Sequence, residues 1–362
     1  MPSDPTAALI TVADYERAAE QRLDPGAHSY IVGGAADEIT LRDNVDAWQR
    51  LAIRPRVLVG AGRCDLSVEL LGRRRPHPIL IAPTAFQRLA HPDGELATAR
   101  AAVATDTIMC LSSLGTTSPS ALARAVPHAP RWFQLYVFSD RGVSADLVAR
   151  ASENGYEALV VTVDLPVVGV RERELRSSIL SSVADQVADA APGDELTPAQ
   201  YAALFDPDLS WADIERFVSE SPLPVLVKGI LTAEDAARAA DRGAAGVIVS
   251  NHGGRQLDTV LSGADALPEV VDAVGSRLDV LVDGGIRRGT DILKALALGA
   301  RAVLVGRPVV SGLAVDGAAG VQRVIEILLA ELGTALALAG SPRADELDDS
   351  FVTPAPWASG HR

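Results

Sequence analysis

A histidine and an arginine three residues apart, His252 and Arg255, stand in the run Ser250-Asn251-His252-Gly253-Gly254-Arg255-Gln256-Leu257-Asp258. A neutral imidazole can take a proton near pH 7, and a guanidinium offers a planar fork to a carboxylate. The glycines between them permit a sharp turn and close approach of a ligand. A histidine alone at such a place is more often just hydrogen-bonded within a turn, so the pair gains meaning from its company. Two further runs supply that company: Asp283-Gly284-Gly285-Ile286-Arg287 and Gly306-Arg307-Pro308. Each offers glycine N–H groups and an arginine, the donor set that a phosphate monoester needs. Tight turns carrying surface arginines would give the same pattern.

These runs follow short apolar stretches, and the stretches recur. Eight are found: Ile79 to Ala82, Ile108 to Ser112, Trp132 to Tyr136, Ala158 to Val163, Val225 to Val227, Gly246 to Val249, Val280 to Val282 and Ala302 to Val305. Helix-patterned segments separate most of them, several opening on a cap such as Ser118 or Thr232 and closing on a glycine. Strands alternating with helices imply parallel pairing, and eight such units predict an α/β fold, a (β/α)8 TIM barrel. An open doubly wound sheet is the alternative, and no G-x-G-x-x-G follows the first strand.

Ahead of the barrel, Ala13 to Leu23 and 38–51 read as helices, Tyr30 precedes Gly33-Gly34, and Leu66 to Leu70 alternates like a hairpin strand. The expected organisation is one domain over 1–362: helices and hairpin in 1–77, the barrel in 78–340, and a tail in 341–362. A long polar excursion, 177–222, follows the fourth strand and reads as a partly helical, mobile lid. In such a barrel the loops after the strands build the active site, with phosphate commonly bound after strands seven and eight.

Composition narrows the function. A hydrophobic content of 48% suffices for a large core, and a net charge of −14 argues against nucleic acid or an anionic membrane as partner. Two cysteines, Cys64 and Cys110, read as free thiols in a reducing cytoplasm. Met1-Pro2-Ser3-Asp4-Pro5 lacks the order of a signal peptide, and Arg323, Glu326 and Glu331 interrupt the last apolar helix, so a cytoplasmic chain without a membrane span or metal site is expected.

Nearly the whole chain, from about Tyr15 to Leu347, resembles the FMN-dependent L-2-hydroxy acid oxidases and dehydrogenases, which include glycolate oxidase, lactate oxidase and mandelate dehydrogenase. The matching runs are Ala82-Pro83-Thr84-Ala85, Phe133-Gln134-Leu135-Tyr136, Thr162-Val163-Asp164, Val227-Lys228-Gly229, and the three loops quoted above. The resemblance implies that Pro83, Thr84 and Ala85 back the flavin ring, while Ser112, Gln134, Thr162, Lys228 and Ser250 edge it. Asp283, Gly284, Gly285, Ile286 and Arg287, with Gly306 and Arg307, would hold ribityl and phosphate. It further implies His252 as base with Asp164 orienting it, and Arg255, Tyr30, Tyr136 and Arg171 binding the substrate carboxylate. Lys228 would supply positive charge where negative charge develops on the reduced ring.

The departures bear on substrate. Leu114 stands where plant glycolate oxidases carry tryptophan, and with Val167 and Val168 it suggests an apolar pocket for a group larger than glycolate. The run Gly169-Val170-Arg171-Glu172-Arg173-Glu174 keeps one arginine of a usual pair and has Glu174 where aspartate is typical. Phe86-Gln87-Arg88-Leu89 resembles actinobacterial hydroxymandelate oxidases. The expected substrate is mandelate, 4-hydroxymandelate or a medium-chain 2-hydroxy acid. The excursion lacks the apolar segment of membrane mandelate dehydrogenases and no haem domain is expected before the barrel, so dioxygen is the expected acceptor, in a homotetramer. A lactate or glycolate oxidase, a flavin dehydrogenase using another acceptor, a different FMN barrel such as an isomerase, and a non-catalytic flavin-binding protein are the alternatives.

Overall fold

The computed structural model describes residues 8–177 and 202–360. Eight parallel strands close into a barrel: β1 (Ile79–Ile81), β2 (Met109–Ser112), β3 (Arg131–Tyr136), β4 (Leu159–Thr162), β5 (Val225–Ile230), β6 (Gly246–Val249), β7 (Asp279–Asp283) and β8 (Ala302–Val305). Closure is made by β8 against β1, with Val303 opposite Ile79 and Val305 opposite Ile81. The strands are mainly apolar because both faces are covered, with polar residues such as Gln134 and Lys228 towards their C-terminal ends. One set of alternating side chains, including Leu80, Cys110, Trp132, Val160, Ile248 and Leu304, forms its own cluster with Leu70. The other set packs on the helices.

Three helices precede the barrel: α1 (Val12–Arg22), α2 (Pro25–Val32) and α3 (Ile39–Gln49). Thr11 and Asp14 form a capping box on α1, and Asp24 caps α2 through Gly26 N at 2.8 Å. The start of α3 is capped from far along the chain. Glu38 sits there at φ +58 without a side-chain cap bond, while Asp258 accepts from Thr40 N at 2.7 Å and Ile39 N at 3.2 Å. The last residue of the His252 run thus fastens α3 to the site.

The outer helices are α4 (Gly94–Thr105), α5 (Pro119–Ala125), α6 (Arg141–Glu153), α7 (Glu172–Ser177), α8 (Trp211–Glu220), α9 (Ala233–Asp241), α10 (Gly263–Val274), α11 (Gly289–Ala297) and α12 (Arg307–Ala339). The sequence places the start of the last helix near Gly320, but α12 starts at Arg307 and breaks at Asp316 and Gly317, the latter at φ +53. Its first turn is therefore the Gly306-Arg307-Pro308 loop itself, and Pro308 suits a helix start. Of the expected excursion, 178–201 lies outside the described residues. The remainder carries α8 and a bridge from Phe205 to Phe138. The tail is tied down, with Val352–Pro354 pairing antiparallel to Leu51–Ile53. Among the described residues no helix is long and apolar enough to cross a membrane.

Candidate active site

The C-terminal ends of the strands open into a cleft of about 1050 Å³, its mouth included. Its wall is built in turn by Pro83, Thr84 and Ala85 after β1, Leu114 after β2, Tyr136 and Thr162 at the ends of β3 and β4, and Lys228 in β5. It continues through His252 and Arg255 after β6, Asp283 to Arg287 after β7, and Gly306 and Arg307 after β8, with Tyr30 and Arg171 at the side. Ala82 and Leu304, at the top of the barrel filling, belong to the same wall.

His252 sits at φ +60, followed by Gly253 at +64 and Gly254 at +73, a left-handed run that the glycines make tolerable. A Cβ on Gly254 would lie 2.7 Å from the backbone of Leu41, so α3 also depends on this glycine. The His252 ring is held at both nitrogens: Nδ1 is 2.8 Å from Asp164 Oδ1 and Nε2 is 3.0 Å from the Tyr136 hydroxyl. With Nδ1–H donating to the carboxylate, the Nε2 lone pair is the free base. Burial holds the His252 pKa below its ordinary value, although Asp164 opposes this. Burial pushes the Asp164 pKa up, but the charge and hydrogen bond of His252, together with the Lys228 charge, bring the net shift down. The pair is thus neutral imidazole and carboxylate at pH 7, ready for one proton. Burial raises Tyr136, which stays a phenol.

Arg255 donates from Nη1 to the carbonyls of Tyr30 (2.7 Å) and Gly33 (3.1 Å), and from Nη2 to Glu174 Oε1 (2.6 Å). Its guanidinium lies 4.8 Å from the Tyr30 ring centroid. Arg171 donates through Nε to the Arg255 carbonyl at 3.0 Å and through Nη2 to Gln256 Oε1 at 3.1 Å. Gln256 donates in turn to the carbonyls of Asp164 and Val167, both at 2.9 Å. Gln256 and Glu174 thus tie Arg171 and Arg255 to each other and to the loop after β4. The sequence assigns neither a role, although Gln256 lies inside the His252 run.

A polar row crosses the strand ends. Ser112 Oγ donates to Gln134 Oε1 at 3.0 Å, and Gln134 Nε2 donates to Thr162 Oγ1 at 3.0 Å. Lys228 Nζ donates to Ser250 Oγ at 2.6 Å and pairs with Asp283 Oδ2 at 2.9 Å. Burial lowers the Lys228 pKa, but the Asp283 and Asp164 carboxylates outweigh it and keep the ammonium charged. Ser112, Gln134 and Ser250 are buried behind the wall and reach it through Thr162 and Lys228.

Behind the first two loops lies a carboxylate held by neutral donors. The fully buried Glu95, in the first turn of α4, accepts from Thr116 N at 2.8 Å, Gln87 N at 3.2 Å and Thr117 Oγ1 at 3.1 Å, and from the Thr116 hydroxyl. It joins the loop bearing Ala85 to the loop bearing Leu114. Val168, expected on the pocket wall, is instead half-buried and packs on the core, while Leu165 from the same loop lines the cleft. Beside Val168, Gly169 packs so closely that a Cβ there would fall 2.6 Å from the Arg255 carbonyl oxygen and 2.7 Å from that of Gln256.

At the other end, Arg307 donates to the carbonyls of Ile31 (3.1 Å), Gly253 (2.9 Å) and Gly33 (2.9 Å), and Arg287 pairs with Glu16 at 2.6 Å. Burial, then the positive charges of Arg255 and Arg287, lower the Arg307 pKa to about 9. Crowded cations at the start of a helix fit a bound phosphate, which would relieve their repulsion. The loop before them is tightly built: a Cβ on Gly285 (φ +79) would fall 1.7 Å from Asn44 O, and Trp48 Nε1 donates to Gly284 O at 2.9 Å. Asp283 Oδ1 is buried without a hydrogen-bond partner among the described residues, as a ribityl hydroxyl would require of its acceptor. The residues present therefore fit FMN.

Comparison with known proteins agrees. The profile of the FMN-dependent dehydrogenase family matches residues 19–354. The chain is 47% identical over 356 residues to an L-lactate oxidase of Nostoc sp., covering 95% of this chain and 98% of that one. It is 48% identical over 351 residues to a peroxisomal (S)-2-hydroxy-acid oxidase of Oryza sativa subsp. japonica, covering 95% of each. A mandelate oxidase solved with (S)-2-phenylpropionate superposes with a TM-score of 0.83 at 42% identity, covering 92% of this chain and 96% of that one.

Proposed function

This chain belongs to the FMN-dependent dehydrogenase family as an FMN-dependent oxidase of (S)-2-hydroxy acids, and from the apolar wall of its cleft we propose that its substrate is aromatic or medium-chain, such as mandelate or 4-hydroxymandelate. The product is the 2-oxo acid, and dioxygen takes up the two electrons and two protons as hydrogen peroxide. The observation that carries the chemistry is the His252 ring held between Asp164 and Tyr136 beside Arg255. Bound FMN supplies the two-electron acceptor that these side chains lack.

In this reading the substrate carboxylate lies on the edge of the Arg255 fork left by Tyr30, Gly33 and Glu174, aided by Arg171 and the Tyr30 hydroxyl. The hydroxyl carbon then faces His252 and Tyr136. His252 Nε2 takes the proton that the hydroxy acid gives up, and Asp164 stabilises the imidazolium. Lys228, fixed by Asp283 and Ser250, would hold the flavin ring together with Thr162 and would supply positive charge there. Arg287, Arg307 and the glycines 284, 285 and 306 hold the phosphate end.

Leu114 and Leu165 on the wall favour a bulky apolar side chain. A second reading, lactate or glycolate oxidase, is favoured by the names of the relatives. A panel of mandelate, (S)-lactate and glycolate, with peroxide measured, separates the two. The highest kcat/KM for mandelate supports the first, and a higher value for either small acid establishes the second. The same reading takes the protein as a cytoplasmic homotetramer; light scattering of the purified enzyme checks the assembly and cell fractionation checks the compartment.

A further inference from the structure

We propose that Glu174 is a specificity-determining residue that restricts this site to 2-hydroxy acids bearing a single carboxylate. The inference rests on the reading that Arg255 and Arg171 receive the substrate carboxylate. Glu174 lies on α7, its side chain 1% exposed, with Oε1 2.6 Å from Arg255 Nη2 and Oε2 3.4 Å from Arg171 Nη1. One carboxylate of the protein therefore spans both cations at the substrate end.

Two consequences follow. The first is geometric. Arg255 spends Nη1 on two carbonyls and Nη2 on Glu174, so a single Nε–Nη2 edge is left for an incoming carboxylate. The second is electrostatic. The cations Arg171, Arg255 and Lys228 face the carboxylates Glu174, Asp164 and Asp283, with His252, Tyr30 and Tyr136 neutral. The substrate end is thus charge-balanced before substrate arrives. A first carboxylate finds a shaped donor edge, but a second would enter beside Leu114 and Leu165 with no cation left over, in surroundings where charges interact strongly. Glu174→Gln can keep the hydrogen bond from Arg255 through its amide oxygen, and its loss of charge leaves one positive charge in excess.

The test uses the FMN-loaded full-length enzyme and two substrates alike at the reacting carbon, (S)-lactate and (S)-malate, the second bearing an extra carboxylate. The wild type favours lactate by at least about tenfold in kcat/KM, and Glu174→Gln raises the malate-to-lactate ratio by about tenfold or more. Glu174→Asp, which keeps the charge, holds the wild-type ratio even where both values fall. A purely structural role would lower both substrates alike, so an unchanged ratio in Glu174→Gln overturns the proposal, as does a wild type that accepts malate as readily as lactate. Glu174→Ser is carried in parallel; if neither uncharged variant retains FMN, the residue is structural and the proposal fails. Non-reacting butyrate and succinate, titrated by the flavin difference spectrum, repeat the comparison without turnover. If no hydroxy acid reduces the flavin but the succinate-to-butyrate affinity ratio still rises in Glu174→Gln, the activity reading is wrong and the role of Glu174 stands. An unmoved affinity ratio refutes that role.

Discussion

Asp164→Asn isolates the charge that supports the base. The carbonyl oxygen of the introduced amide can still accept from His252 Nδ1–H, so the 2.8 Å hydrogen bond survives and only the carboxylate charge is lost. When His252 takes a proton, that charge faces the imidazolium with centres about 4 Å apart, worth about 4 kcal/mol at an effective dielectric of about 20. Part of this returns through relaxation, so a loss of about 3 kcal/mol, or roughly a hundredfold in the rate of flavin reduction, is expected. The pH profile should move as well. Burial lowers the His252 pKa and Asp164 opposes it, so removing the Asp164 charge lowers it further. The base works unprotonated, and its rate falls as pH drops through that pKa; the acid limb therefore shifts to lower pH in the variant. Anaerobic stopped-flow mixing at 450 nm, on samples matched for FMN content, reads both effects. A fall of less than about fivefold together with an unmoved acid limb would refute the coupling of Asp164 to His252.

Other consequences are as direct. Gly285→Ala places a methyl group 1.7 Å from Asn44 O at φ +79, and should cost about 3 kcal/mol or more, seen as a lower Tm and loss of FMN on gel filtration. Arg307→Met removes a cation and three carbonyl contacts from the start of α12, and FMN affinity measured by fluorescence should fall about a hundredfold. Leu114→Trp fills the apolar wall, so kcat/KM for mandelate should fall by about tenfold or more relative to glycolate; an unchanged ratio would show that Leu114 does not set side-chain size.

The barrel was legible because each strand is a short apolar run buried on both faces, and because polar residues stand at or just after the end of each run. Ser112, Gln134, Thr162, Lys228 and Ser250 could all be placed at strand ends by that rule, and hydrogen bonding joins them into two groups, Ser112–Gln134–Thr162 and Lys228–Ser250. The His252 run announced its own turn through Gly253 and Gly254. What stayed hidden depends on contacts distant in sequence. Asp258 caps α3 across 218 residues, and Glu16 reaches Arg287 from α1; no local pattern signals either. Glu174 stood out only as a departure from aspartate, and its contact with Arg255 required the fold. Val168 packs on the core while Leu165 lines the cleft, because side-chain direction in an irregular loop follows packing and not spacing. The start of α12 was hidden because Gly306-Arg307-Pro308 reads as a turn until its backbone is seen to continue as helix.

His252 is the base through which, in the proposed function, a 2-hydroxy acid reduces FMN on this chain. Anaerobic mixing of mandelate with wild type and with His252→Asn, both fully loaded with FMN, tests it in one comparison. The expected result is rapid bleaching of the wild-type flavin, recovery of the yellow colour when oxygen is admitted, and reduction slowed by on the order of a thousandfold or more in the variant. Equal bleaching rates in the two proteins would contradict it.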